Sequence, residues 1–503
     1  MVFQYTLLQS VVIPIVVAAA AYVFAGTLGK RVGWLCFIAL LYTTSLLAFT
    51  GSQLFLQGGQ VQESYQWAPS AQLAFGLLAD GLSIPVALIV NVVLAATAVY
   101  SMPYMSKRVV SIRGKDVNSD YGLYYMNFML VAAGLAGIVL STNLIELYLF
   151  LELVLIPTFV LISLFGYVDR ERVGIIYIIW NQLGAFIFLA GVLLLFFVTG
   201  SFDVGSLASA QSSSLAYWIA GLILIGWLVK MAIFGLHMWL PITEAEPPTS
   251  FAPTMAVVSG IGSYVIVRLL LFGMPAVFRT FSLPLMAWAV ITMFYGGAVA
   301  MAQNDSKYLF AWSTMGQNAY SILAIASWSV LGAAGGVFYF LSHIMGKFIL
   351  FSVAGILLTQ TGLRDIRQMG GLASRMPFTA TLFLLGTLIL SAVPPTSGFQ
   401  AEWIMFAGIF TQGSSGSAEY LTVALLGLIA TLFTVGYTFW PMRRIFFGKT
   451  PQTLEGVKDA PLTMTLPLLA VAAISIIIGI YPDAVSKLLI AFANTLKVGG
   501  RLG

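Results

Sequence analysis

This 503-residue chain has little charge: Asp, Glu, Lys and Arg make up 8% of it, against 60% hydrophobic residues. With a mean hydropathy of +0.97, that shortage excludes a soluble globular domain and points to a chain embedded in lipid for most of its length. Cysteine is scarcer still. The single Cys36 excludes a disulfide framework, an iron–sulfur cluster and a thiolate zinc site within the chain, and it reads as a small apolar packing residue. No GxxxxGK(S/T) loop, helix-opening GxGxxG, HExxH or cysteine cluster occurs. Redox or nucleotide chemistry must then come from partners, and no cofactor is expected in this chain. The first apolar run lacks a basic leading segment and a cleavage site, so it reads as a retained span, and there is no Arg- and Ser-rich transit segment.

What the chain has instead is a succession of apolar runs of about 18 residues or more, each able to satisfy its backbone internally as a helix. A barrel would need short strands of alternating polarity. The expected fold is an all-α polytopic membrane protein with fourteen transmembrane helices. Basic residues concentrate in cytoplasmic loops, and they test that count. Of the 23 Lys and Arg, sixteen fall after odd-numbered spans, and Arg268, Arg279, Lys487, Lys497 and Arg501 fall on the other side. Lys230 and Lys347 are left inside. Both termini are thus expected on the outer side of a prokaryotic inner or plasma membrane. The net charge of +5 reflects topology, and nucleic-acid binding is not expected.

Two spans are interrupted. Span 7 (216–240) runs into Leu240-Pro241 and then Glu246-Pro247-Pro248, and span 12 (378–411) breaks at Val393-Pro394-Pro395-Thr396-Ser397-Gly398. Proline frees helix carbonyls, which hydrocarbon tolerates only where protein or a wet cavity receives them. Broken helices in corresponding positions point to two inverted five-helix repeats around an ion site. The expected organisation is a three-span region over 1–120, repeats over 121–273 (spans 4–8) and 282–450 (spans 9–13), and span 14 with a short tail over 451–503.

Ionisable residues inside apolar spans are the candidates for chemistry. An ammonium at a bilayer centre costs about 2.5 to 3.5 kcal/mol on insertion scales. Lys230 lies nine residues before Trp239, about 13 Å at 1.5 Å per residue, beyond easy snorkelling. Glu152, nine residues into span 5 (143–166), would form with it a coupled pair that a passing proton can open or close; a structural ion pair is the plainer reading. Glu146, nearer the span's end and on another face, suits a solvated or head-group role, with an accessory functional one as the alternative. His343 and Lys347 are four apart on one face of span 11, which suits proton transfer; a core histidine with one hydrogen bond is the plainer reading. His237, close to the first break, is open between the two. Glu402 follows the second break and is either a helix-start carboxylate near water or the exit acid of a polar track. Asp80, Asp305 and Lys307 read as interfacial and structural.

These features come with recognisable motifs. ADGLS (79–83), TNLIELYLFLELVLIPT (142–158), VKMAIFGLHMWLP (229–241), DSKYLFAWSTM (305–315), LSHIMGKFILF (341–351), RDIRQMGGL (364–372) and SGFQAEW (397–403) resemble, in this order, the antiporter-like subunits of respiratory complex I and of Mrp-type sodium/proton antiporters. The resemblance covers essentially all fourteen spans. It implies inverted five-span repeats, no bound redox centre, and other membrane-arm subunits as partners, further antiporter-like subunits among them. By position, Glu152 and Lys230 match the family's gating pair, His343 its central relay histidine and Glu402 its terminal acid. A glutamate there, and the short chain after span 14, resemble the M-type most closely. Proton translocation driven by electron transfer in partners is the implied function; the alternatives are a transport-inactive scaffold and an Mrp-type or hydrogenase-linked subunit. One position departs from the family: Gly260 stands where a span 8 lysine is expected, so the link between Lys230 and Glu402 falls to Lys347 or to water.

Overall fold

The computed structural model describes residues 5–68, 73–413 and 418–498. Arg501 and the side chain of Lys497 lie outside the described residues. Helices follow the apolar runs. α1 (Thr6–Leu28) and α2 (Val32–Gln57) meet at a tight turn and lead into a hairpin of β1 (Val61–Ala68) and β2 (Leu73–Ala79). Then come α3 (Ser83–Arg113), α4 (Asn118–Leu140), α5 (Leu144–Phe165), α6 (Arg170–Thr199) and the one-turn α7 (Leu207–Ala210). α8 (Ala216–Lys230) and α9 (Leu240–Ala245) flank a break, and α10 (Ala252–Gly260) runs through α11 (Gly262–Ile266) into a wide turn at Val267–Leu271. The second half holds α12 (Pro275–Ala302), α13 (Ser306–Ala326) and α14 (Val330–Thr361), then α15 (Pro377–Leu390) and α16 (Ser397–Gly413) across a second break. α17 (Ala418–Phe446), α18 (Leu462–Ile480) and α19 (Asp483–Val498) complete it.

Ten helical stretches among the described residues are long and apolar enough to cross a membrane, the first, Thr6–Gln57, containing both α1 and α2; α8 and α15 are shorter apolar helices. The apolar surface faces outward as well as inward. Phe197 is 80% exposed, Leu432 68% and Leu462 73%, an outer face suited to lipid rather than water. α14 is the opposite, buried at every position from Gly332 to Leu357. A helix enclosed by protein can carry polar side chains because other helices supply their partners, and His343 and Lys347 lie on this one.

The hairpin departs from the all-α expectation. β1 pairs antiparallel with β2, Val61 opposite Ala79, and polar side chains tie it to the bundle. The Glu63 carboxylate accepts the Leu7 and Leu8 amides, both at 2.9 Å, taking two of the donors that the first turn of α1 leaves free. Glu146, expected in solvent or head groups, is buried at the start of α5, where one oxygen accepts the Gly76 amide at 3.0 Å.

Two basic residues assigned to loops are also buried. Arg268 forks onto Asp80 with two bonds of 2.7 Å, so Asp80 has the structural part expected of it, as a buried ion-pair partner. Lys307 has no exposed surface; it donates to the Pro247 carbonyl at 2.6 Å and lies over the Tyr167 ring. One came from each side of the loop count, so the asymmetry remains.

Candidate functional site

The first break does not fall where the prolines suggested. α8 stops at Lys230, and Leu240-Pro241 opens α9 instead of ending its predecessor. Proline fits the first turn of a helix because no amide donor is needed there. The break is made by Ala232, at φ 55, and Gly235, at φ 88, the left-handed region that costs an L-residue such as alanine roughly 1–2 kcal/mol. Freed backbone groups find side chains. The Val229 carbonyl accepts Trp239 Nε1 at 2.9 Å, Met231 accepts Asn318 Nδ2 at 3.1 Å, and Phe234 accepts Trp288 Nε1 at 2.9 Å.

The second break repeats four backbone bonds of the first, although Pro395 stands where the first has Gly235. Backbone bonds from Met231 to Trp227, Ala232 to Val229, Ile233 to Leu228 and Leu236 to Ile233 reappear 160 positions later (231 to 391, 232 to 392, 233 to 393, 236 to 396). There they run from Ser391 to Thr387, Ala392 to Ile389, Val393 to Leu388 and Thr396 to Val393. Ala392, at φ 51, takes the place of Ala232. A second correspondence lies at the helix starts. Asn143 caps α5 and bridges to Asp203, and 162 positions on (143 to 305, 203 to 365) Asp305 caps α13 and bridges to Asp365.

Polar side chains gather beside these breaks in three groups. In the first, Lys230 Nζ donates to Asn181 Oδ1 at 3.4 Å, and Gln182 Nε2, on the next residue of α6, donates to Glu152 Oε1 at 3.0 Å. Glu152 is the charged group acting on Lys230, but the two do not touch. Among the described residues the ion pairs are Arg113–Asp120, Arg268–Asp80, Arg364–Glu246, Arg364–Asp305 and Arg367–Asp365. Each member of the pair thus bonds to an amide of α6 and not to the other.

The second group centres on α14. Lys347 Nζ donates to the Phe310 carbonyl and to Ser313 Oγ, both at 2.5 Å. His343, one turn away, is buried with neither ring nitrogen bonded. Glu244 of α9 belongs here too, wholly buried and the charged group acting on Lys347. Sequence reasoning missed it, although Pro241 at a helix start signals that Glu244 lies inside a resumed helix rather than in a proline-rich loop.

The third group surrounds Glu402, which is half-buried on α16 and acts on the buried Tyr320, Tyr339 and Tyr437. Gln317 joins them, accepting from Tyr339 at 2.9 Å and donating to Tyr437 at 2.7 Å, while Tyr320 and Thr434 lie 2.8 Å apart. The adjacent Asn318 reaches the first break through Met231. Two consecutive amides of α13 therefore reach the backbone of the first break and the third group. His237 lies inside the first break, its Nδ1 accepting the Gly235 amide at 3.1 Å and its ring stacked on Phe234. Where a span 8 lysine was expected, a Cβ on Gly260 would come within 2.7 Å of the Phe340 ring; that volume is filled.

Buried cations, carboxylates and hydroxyls beside two matching helix breaks define a helical membrane protein of the ion-transporting kind. The chain belongs to the NADH:quinone oxidoreductase/Mrp antiporter transmembrane family, which matches residues 141–434, more than half its length. It is similar to a Na(+)/H(+) antiporter subunit of Alkalihalophilus pseudofirmus, 29% identical over 91% of this chain and 59% of that longer protein. It is likewise similar to the F(420)H(2) dehydrogenase subunit M of Methanosarcina mazei, 27% identical over 95% of both chains. A chain of respiratory complex I from Thermus thermophilus superposes with a TM-score of 0.84 at 23% identity, covering 98% of this chain and 99% of that one, and so shares the fold.

Proposed function

We propose that this chain is a proton-translocating, antiporter-like membrane subunit of a complex I-type oxidoreductase, in which NADH or a related donor reduces quinone in partner subunits. Protons move along Glu152, Lys230, His343, Lys347 and Glu402, with His237 and Glu146 as supports of the first break and the hairpin. The observation that carries this reading is the pair of breaks with the same four backbone bonds, with polar groups of α13 reaching the first break and the tyrosines around Glu402. Electron transfer elsewhere supplies the work. One charge moved against 100 mV costs about 2.3 kcal/mol, within reach of a unit or two of shift in several coupled groups at about 1.4 kcal/mol per unit.

The finer architecture follows. Counting each broken helix once gives fourteen crossings: α1 to α6, α8 with α9, α10 with α11, α12, α13, α14, α15 with α16, α17 and α18. The offsets of 160 and 162 residues support two inverted five-helix repeats over 121–273 and 282–450, flanked by 1–120 and 451–503. Both termini lie on the outer side of a prokaryotic inner or plasma membrane. The partners are other membrane-arm subunits, further antiporter-like ones among them, and the chain holds no cofactor of its own.

Lys230→Ala in the assembled complex tests the reading. Proton uptake per electron by inverted vesicles should fall while quinone reduction continues, and an unchanged ratio with intact assembly would remove Lys230 from the path. An Mrp-type cation/proton antiporter subunit is the second reading, favoured by the similarity to the antiporter protein of Alkalihalophilus pseudofirmus. Six or seven small membrane proteins encoded beside this chain, rather than peripheral redox subunits, would support it.

A further inference from the structure

Glu244 is the least explained residue of the molecule. It has no exposed surface, and neither carboxylate oxygen has a hydrogen-bond partner; the Thr314 hydroxyl faces it without closing a well-formed bond. A buried carboxylate left this bare loses its hydration and gains nothing local in return. Such a group persists where it is needed for chemistry or is kept neutral by a proton. What answers it is Lys347. Lys347 Nζ and the Thr314 hydroxyl that faces Glu244 share the Phe310 carbonyl as their acceptor, which puts the ammonium and the carboxylate, from α14 and α9, on one side of α13 as each other's charged neighbour, and the pair does not close into an ion pair within 4.0 Å among the described residues. The ammonium is meanwhile held by the Phe310 carbonyl and the Ser313 hydroxyl. His343, on the α14 turn before it, is also under the charge of Lys347. The titratable groups facing this spot are therefore Glu244, Lys347 and His343, with Ser313 and Thr314 from α13.

We propose that Glu244 is a proton-carrying residue of this transporter, working as the acid partner of Lys347. The inference rests on the translocation reading above. In the forward step the Lys347 N–H bond breaks and an O–H bond forms on Glu244, through one bridging water, so an ammonium and a carboxylate become a neutral amine and a carboxylic acid. The reverse step restores both charges, and His343 is placed to take or return the proton on the α14 side. Removing two opposite charges at once lets the pair change state in a dry interior without leaving either charge alone there. The carbonyl and hydroxyl that a metal cation would use are occupied by the tethered ammonium, so the cargo at this step is H⁺ and not Na⁺.

The test uses the assembled complex in inverted membrane vesicles, reading proton uptake per electron, with quinone reduction as the check on assembly. Glu244→Gln is expected to lower the ratio to the value reached by Lys230→Ala. Adding Lys347→Met to it should lower the ratio no further, because both remove one step. Glu244→Asp, which keeps the carboxyl, should retain most of the wild-type ratio, and this conservative variant distinguishes chemistry from packing if the glutamine variant fails to assemble. Infrared difference spectra during turnover should show a carboxylic-acid carbonyl band that disappears in Glu244→Gln and shifts in Glu244→Asp. A wild-type ratio in Glu244→Gln beside a lowered one in Lys230→Ala would overturn the role of Glu244 and leave the translocation reading standing. Wild-type ratios in both would overturn the two together. Sodium uptake that follows the ratio and is lost in Glu244→Gln would overturn the assignment of H⁺ as the cargo.

Discussion

The two breaks share four backbone hydrogen bonds and differ in what they carry. Each stops a helix with the same four hydrogen bonds and puts an alanine in the left-handed region, Ala232 in one and Ala392 in the other. Yet the first leaves Lys230 at its helix end and the second leaves Leu390 at the matching position, 160 residues on (230 to 390). The first receives its freed carbonyls with Trp239, Trp288 and Asn318. The second relies on the hydroxyl of its own Thr396, which reaches the Val393 and Leu388 carbonyls at 2.8 and 3.3 Å. The break is therefore architecture common to both halves, and the charge is a local addition to one of them. What distinguishes the halves at the break is the residue that ends the helix, an ammonium in one and a leucine in the other.

Exchanging that charge should give the largest effect. Leu390→Lys puts an ammonium in a buried position packed against Gly346 of α14, and it should cost the complex its assembly or about 2.5 to 3.5 kcal/mol, read as lost yield and a lower melting temperature in detergent. If the variant assembles as the wild type does, the two breaks are electrostatically alike and the comparison fails. Asn181→Leu removes the acceptor of Lys230 while keeping side-chain volume. Hydrogen bonds to charged groups contribute about 1.5–3 kcal/mol, so the variant should melt earlier and pump fewer protons per electron; a change in melting alone would make Asn181 purely structural. Trp239→Phe leaves the Val229 carbonyl with the Ala232 amide alone and should cost about 1 kcal/mol, with no counterpart in the second break.

Smaller effects probe what the breaks share. Ala232→Gly and Ala392→Gly each relieve a left-handed alanine while adding chain freedom to the unfolded state, so each should change stability by less than about 1 kcal/mol, and by the same amount. Unequal shifts in melting temperature would show that one break is held by its surroundings more than the other. The smallest effect lies outside the membrane. The Arg367 guanidinium, bonded to Asp365, holds that carboxyl below its usual range. A depressed carboxyl contributes stability above its unfolded value and loses it as pH falls through the folded one. Because the pair is exposed, Asp365→Asn should lower melting only slightly at neutral pH, and the difference from the wild type should vanish as pH falls through the range in which the folded carboxyl is protonated.

Much of this was legible before the structure. Two deep interruptions, a lysine in each of two spans and the shared face of His343 and Lys347 all follow from hydropathy and helical period. What stayed hidden depends on partners far away in sequence. Arg268 looks like a loop residue until Asp80, 188 positions earlier, is beside it. Lys307 likewise needs the Pro247 carbonyl. Glu146 faces a hairpin that the all-α reading left out, because short strands of mixed polarity give no long periodic signal. The break in span 7 was placed at the prolines, whereas Pro241 starts a helix and the chain turns at Ala232 and Gly235, neither of which announces itself. That same shift concealed Glu244, which looks solvated if the helix is thought to end before it.

Where α8 ends has one more consequence. A fifteen-residue helix collects roughly half an elementary negative charge at its carbonyl end, and the first break puts that end at Lys230 rather than spreading the residue into an uninterrupted rod. The gap in the chain thereby serves as a counter-ion without a side chain, one that no proton can neutralise. Smoothing the helix through 231–239 would strip the ammonium of this fixed partner even with every ionisable residue still present.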